Sequence, residues 1–231
     1  MTHNKIARNK IRPRRRISLS ASTSYFIEQV HNYWINLVSR EIWIHGTDMN
    51  TDDYMGLEPG VEYRMATKVI KNLHILRKQS ESESATIHLH TCGGMYEEGM
   101  AIYDAIKSMP YPVTIVSYTH ARSMSSIIFQ AGDKRLMMPN SYFMFHLGTM
   151  ELAGEARTVW ANAEFAKLGR ETMTDIYVES AHKGPKFKGW SKRRIRNLIE
   201  REMEKKSDVF LTPKEAIDWG FADGILTKWP N

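Results

Sequence analysis

Between Ser24 and about Arg40 the apolar residues Phe26, Ile27, Val30, Trp34, Leu37 and Val38 recur at helical spacing, which predicts one amphipathic helix. A strand follows over Ile42 to Ile44. The stretch Gly46 to Gly60 carries Asp, Asn, Thr, Gly and Pro and reads as a loop, leading to a helix from about Glu62 to Lys78. The alternation then repeats: strand Thr86 to Leu89, a glycine turn at Gly93-Gly94, helix Tyr96 to Met109, strand Val113 to Tyr118, and a helix from Ser123 to about Gln130. Strands alternating with helices predict an α/β domain with a largely parallel sheet.

Further on, Arg135 to Met138 and Tyr142 to Phe145 are strand-like. A long helical stretch covers about Arg157 to Ala181, interrupted only by Gly169. Its apolar positions Val159, Trp160, Phe165, Ala166, Leu168 and Met173 suit an interface element that leaves the globular body. After the turn Gly184 to Gly189 comes a helix over about Lys192 to Lys205. The chain closes with Phe210-Leu211, a short helix opening at Pro213, and Gly224-Ile225-Leu226.

Composition sharpens this picture in three ways. The 231 residues, 42% of them hydrophobic, can build a sizeable core. The single cysteine, Cys92, excludes an intrachain disulfide and a Cys-based zinc site, and fits a reducing, cytoplasmic compartment. No apolar run reaches the roughly 20 residues that span a bilayer, and no apolar stretch of a secretory signal opens the chain, so a soluble protein away from membranes is expected. The net charge of +6 hints at nucleic acid, but seven of the 32 basic residues lie within residues 1–16, which hold no acid. The rest has 25 basic against 26 acidic residues and is nearly neutral. Residues 1–24 therefore read as a basic, flexible arm, the only part suited to nucleic acid or an acidic partner. Residues 25–231 read as the folded domain.

Three features could carry chemistry. Thr91-Cys92-Gly93-Gly94 joins a strand to a helix, where paired glycines let backbone amides approach a ligand; a plain tight turn would look the same. Ser123 sits where a strand gives way to a helix, as a nucleophile or an ordinary N-cap would. His146 ends the run Tyr-Phe-Met-Phe-His, and period-two alternation sets it on the opposite face from Phe143 and Phe145.

Taken together, the order and spacing become specific. Gly93-Gly94, Gly99-Met100-Ala101-Ile102-Tyr103-Asp104, Ala121-Arg122-Ser123-Met124, Ala131-Gly132, Met138-Pro139-Asn140-Ser141 and Met144-Phe145-His146 resemble the proteolytic subunit of the Clp protease. So do Asp208 to Ala216 and Trp219 to Asp223, which extends the resemblance over about residues 25–228. The resemblance implies a crotonase-like β-α spiral with a protruding handle over about 148–183. It implies a Ser-His-Asp triad on Ser123, His146 and Asp208, an oxyanion hole of the Gly94 and Met124 amides, and substrate contacts from Gly93, Met95 and Leu147. It also implies two stacked heptameric rings that degrade unfolded polypeptides delivered by an AAA+ unfoldase. ATP is then used by that partner, and this chain needs neither cofactor nor metal.

The chain departs from the family pattern at several places. Cys92 replaces a proline, Arg122 a small residue before the nucleophile, Ser125 a glycine, Leu147-Gly148 a Gln-Pro pair, and Ser207 an arginine used in ring contacts. Thr86 and His88 stand where the family exposes aromatics to unfoldase loops. A basic segment over about 183–206 lengthens the span between His146 and Asp208 and reads as a solvated face or an added docking surface. The competing functions are a catalytically weak ring subunit, a viral capsid-maturation protease, and an acyl-CoA enzyme of the crotonase class, which has no need of Ser123 and His146 at these spacings.

Overall fold

The computed structural model describes residues 21–46 and 60–229. The loop expected over Gly46 to Gly60 lies almost entirely outside the described residues, as do residues 1–20 of the basic arm.

The first elements correct the sequence reading. Instead of one helix reaching Arg40, α1 (Ala21–Glu28) runs into a π turn (Gln29–Tyr33) that stops at Trp34, whose φ of 60° is left-handed. β1 (Ile35–Asn36) then pairs antiparallel with β2 (Glu41–His45). Asn36 organises the reversal, its Oδ1 accepting from the Val38 and Ser39 amides at 3.0 and 3.3 Å. Val38, an expected apolar-face position, is 91% exposed.

α2 (Tyr63–Gln79) is capped by Glu62, whose carboxylate accepts from the Arg64 and Met65 amides. Its Met65, Ala66, Val69, Leu73 and Leu76 form the buried stripe that the periodicity predicts. β3 (Ala85–His90) and β4 (Val113–Ser117), with α3 (Tyr96–Lys107) between them, supply the centre of the main sheet. With β6 (Lys134–Met137) and β9 (Gly224–Ile225) the order is β1-β2-β3-β4-β6-β9, parallel from β2 onward. Arg135, buried on β6, forms a paired bond with Asp223 (Nη2–Oδ1 2.6 Å, Nε–Oδ2 3.0 Å) and also donates to Gln130 and the Gly220 carbonyl. These bonds fasten the C-terminal segment to the sheet.

A second, three-stranded sheet was not expected. The strand read as Val113 to Tyr118 ends at Ser117, and β5 (His120–Arg122) starts a separate sheet with β7 (Tyr142–Phe145) and β8 (Val209–Leu211), in the order β5-β7-β8. α4 (Met124–Gln130) follows β5 and is buried along its whole length. Phe143 and Phe145 pack against Phe221, Tyr177 and Trp219, joining this sheet to the core.

α5 (Ala156–Ala181) has two characters. Trp160, Phe165 and Leu168 in its first half are exposed, while Thr174, Tyr177, Val178 and Ala181 in its second half are buried. α6 (Lys192–Lys206) packs on that second half, with Arg196 paired to Asp175 and Lys192 to Glu179. Arg194 lies over Trp190 at 3.6 Å and Lys186 over Trp219 at 4.2 Å. Part of the basic segment is thus engaged with its own body. α7 (Pro213–Asp218) opens with a capping box between Thr212 and Glu215.

Candidate active site

The small sheet determines where the three sequence-nominated residues stand. β5 and β7 run parallel with Arg122 opposite Met144, and β7 and β8 run antiparallel with Phe145 opposite Val209. Ser123 is the next residue after β5, His146 the next after β7, and Asp208 the last before β8. All three meet at one edge. The Ser123 amide donates to the Met144 carbonyl at 3.2 Å, which holds the serine beside the end of β7.

His146 bridges the other two, with Nε2 at 2.9 Å from Ser123 Oγ and Nδ1 at 3.0 Å from Asp208 Oδ1. The imidazole is 22% exposed and the Asp208 carboxylate 49%. Ser123 has φ 52° and ψ −132°, a strained conformation between strand and helix, and its side chain does not cap α4. This is the geometry of a nucleophile elbow, in which a sharp turn lifts the hydroxyl out of the backbone ladder.

Gly93, the first of the glycine pair, packs against that elbow. A Cβ at Gly93, where φ is 95°, would stand 2.7 Å from Ser123 Cβ and 2.8 Å from the Met124 nitrogen. Val61 pairs with Gly94: the Val61 amide donates to the Gly93 carbonyl at 2.6 Å, and the Met95 amide to the Val61 carbonyl at 2.9 Å. Peptide groups alternate in direction along an extended strand, so the Gly94 N–H faces away from Val61. Met124 opens α4, where the first amides have no intrahelical acceptor. Both nominated amides therefore remain outside the backbone ladder. Met95 is 56% exposed, but its amide is taken by Val61, and Leu147 is half-buried against the core.

Sequence reasoning did not identify the residues that hold the elbow. Ser125 Oγ accepts from the Arg122 amide at 2.9 Å and donates to the Arg122 carbonyl at 2.7 Å. Ser126 Oγ donates to the Ser123 carbonyl at 2.6 Å and meets the Tyr177 hydroxyl at 2.7 Å. The Ser125-Ser126 pair was visible beside Ser123, but Tyr177 and Val61 carried no signal. Among the described residues no cluster of three or more His, Cys, Asp or Glu could hold a metal ion, and no helix is long and apolar enough to cross a membrane.

Comparison with known proteins agrees with the fold. The Clp protease family pattern matches residues 41–229. The chain is 30% identical over 170 residues to the ATP-dependent Clp protease proteolytic subunit of Deinococcus radiodurans, covering 73% of this chain and 77% of that one. It superposes on a point mutant of ClpP1 from Listeria monocytogenes with a TM-score of 0.62 at 23% identity, over 83% of this chain and 94% of the other. The architecture is accordingly the α/β ClpP fold expected above. With the family pattern spanning every strand but β1 and all three bridged residues, the chain belongs to the Clp protease family, as a peptidase proteolytic subunit.

Proposed function

We propose that this chain is a serine endopeptidase subunit in which Ser123 is the nucleophile, His146 the general base and Asp208 its orienter. The observation that carries the reading is His146, hydrogen-bonded to Ser123 Oγ through one ring nitrogen and to Asp208 through the other. Nε2 takes the hydroxyl proton as Oγ attacks the peptide carbonyl, then gives it to the leaving amine, and water hydrolyses the acyl-enzyme. Nδ1–H donates to Asp208, which fixes the tautomer and stabilises the imidazolium. The Gly94 and Met124 amides receive the oxyanion, each donor contributing about 2.7–4 kcal/mol to the transition state.

The substrate is an unfolded polypeptide cut inside a chamber of two stacked heptameric rings, fed by an ATP-driven AAA+ unfoldase. The exposed Trp160, Phe165 and Leu168 on α5 support burial of that helix against another subunit. The chain's working compartment in this reading is the cytoplasm.

The test is intact-mass analysis after treatment with a serine-reactive fluorophosphonate. One adduct per native chain is expected, absent in Ser123→Ala and much slower in His146→Ala. A folded oligomer that takes no label overturns the reading.

A further inference from the structure

Arg122 immediately precedes Ser123, and its half-buried side chain shares a face of the small sheet with His146 and Asp208. This follows from register. Side chains alternate along a strand, so Tyr142, Met144 and His146 point one way while Phe143 and Phe145 point the other. Ring contacts agree: Tyr142 packs on Phe210 at 5.5 Å and on His120 at 5.4 Å, outside the Phe143–Phe145–Phe221 core. Arg122, Met144 and Phe210 therefore form a row across the three strands. That row lies one side-chain repeat, about 7 Å, from the row holding His146 and Asp208.

The Arg122 guanidinium makes two polar contacts within the described residues. Its Nη1 donates to the Tyr142 hydroxyl at 3.4 Å and its side chain hydrogen-bonds to Cys92. Among the described residues, no carboxylate stands within ion-pair distance of it. The neighbouring His120 does not compete as a cation, because burial and then the Arg122 and His90 charges push its pKa down to about 4. Ser125 pins both the amide and the carbonyl of Arg122, so the side chain springs from a fixed backbone. A partly dehydrated guanidinium with no carboxylate partner among the described residues is a ready donor to a planar carboxylate. Phe210, 58% exposed, supplies an apolar wall for the methylenes of such a side chain.

We propose that Arg122 forms a cationic subsite that selects peptides with Asp or Glu adjoining the scissile bond. This inference rests on the peptidase reading of Ser123, and its test separates the two. The assembled full chain is given fluorogenic peptides matched except for Glu, Gln or Lys on either side of the cleaved bond. The Glu peptide is expected to exceed its Gln isostere about tenfold in kcat/KM, the scale of one charge-assisted bond. Added salt reduces the difference. The preference is lost in Arg122→Gln, partly kept in Arg122→Lys and turned toward Lys peptides in Arg122→Glu. Fluorophosphonate labelling of Ser123 is measured alongside in every variant. If the native chain labels but cleaves Glu and Gln peptides equally, the subsite is overturned and the peptidase reading stands. Retention of the Glu preference in Arg122→Gln removes Arg122 from the role. No labelling of the native chain overturns both.

Discussion

Tyr177 holds the backbone of Ser123 through a single intermediary, the Ser126 hydroxyl, which lies 2.6 Å from the Ser123 carbonyl and 2.7 Å from the Tyr177 oxygen. Ser126 has one proton and the carbonyl can only accept, so the Tyr177 hydroxyl must be the donor in the second bond. Burial pushes the Tyr177 phenol well above its usual range, which keeps that proton in place at any working pH. The strained serine is therefore anchored to the buried half of α5.

Removing this anchor is expected to cost stability and alignment together. Tyr177→Phe should lose about 1–2 kcal/mol in urea unfolding, and Ser126→Ala somewhat more, because it leaves two buried partners unmet. Both should slow fluorophosphonate labelling, Ser126→Ala the more. Native labelling rates in both variants would show that the elbow needs no such support.

Gly93→Ala is expected to disable the site while sparing the fold. The new Cβ has to displace Ser123 or the Met124 amide, at distances of 2.7 and 2.8 Å. Loss of one oxyanion donor lowers kcat about 10²- to 10³-fold. Gly148→Ala is the control, since it shares a positive φ of 82° but has no atom within 4 Å of the added carbon. Equal activity of the two variants would rule out the packing argument.

On the proposed triad reading Asp208 orients His146 and does not bind substrate, so Asp208→Asn should lower kcat with little change in KM. The fall is expected between about 10²- and 10⁴-fold, because the buried counterpart in other triads costs about 10⁴ and this carboxylate is half exposed. Steady-state kinetics on a fluorogenic peptide decide it. A raised KM at constant kcat would mean that Asp208 binds substrate instead.

Acid sensitivity should trace to His120. The residue is 8% exposed, and among the described residues its ring nitrogens find no partner beyond a weak contact with the Thr91 backbone. Its pKa is lowered from 6.5 to about 4, first by burial and then by the Arg122 and His90 charges. As pH falls from 6.5 toward 4 the unfolded chain takes up this proton and the folded chain does not, so folding stability drops through that window. Urea midpoints should show a loss on the order of 2–3 kcal/mol that is absent in His120→Phe. The same acid slope in native and variant chains would place the sensitivity elsewhere.

The central helices and strands were legible because their burial is one-sided and local. The stripe on α2 and the Phe143–Phe145 alternation each report a face turned to the core, and that face is written in sequence spacing. The amino-terminal helix failed for the converse reason. Trp34 and Ile35 are buried by packing and by pairing with β2, so their apolar character marked the core without marking a helix. The three-residue strands β5 and β8 are too short for any period to appear, and their pairing partners lie far along the chain.

The sequence alone determined the α/β order, the resemblance that nominated Ser123, His146 and Asp208, and the oddity of Arg122 and Ser125. Only the tertiary structure decided that those three residues touch, across separations of 23 and 62 positions. It also decided that Tyr177, 51 positions from Ser126, supports them, and that Arg122 faces the same way as His146. Side-chain periodicity specifies which face of an element is buried. The register between strands that are distant in the chain depends on how those faces pack, and the site is made by that register.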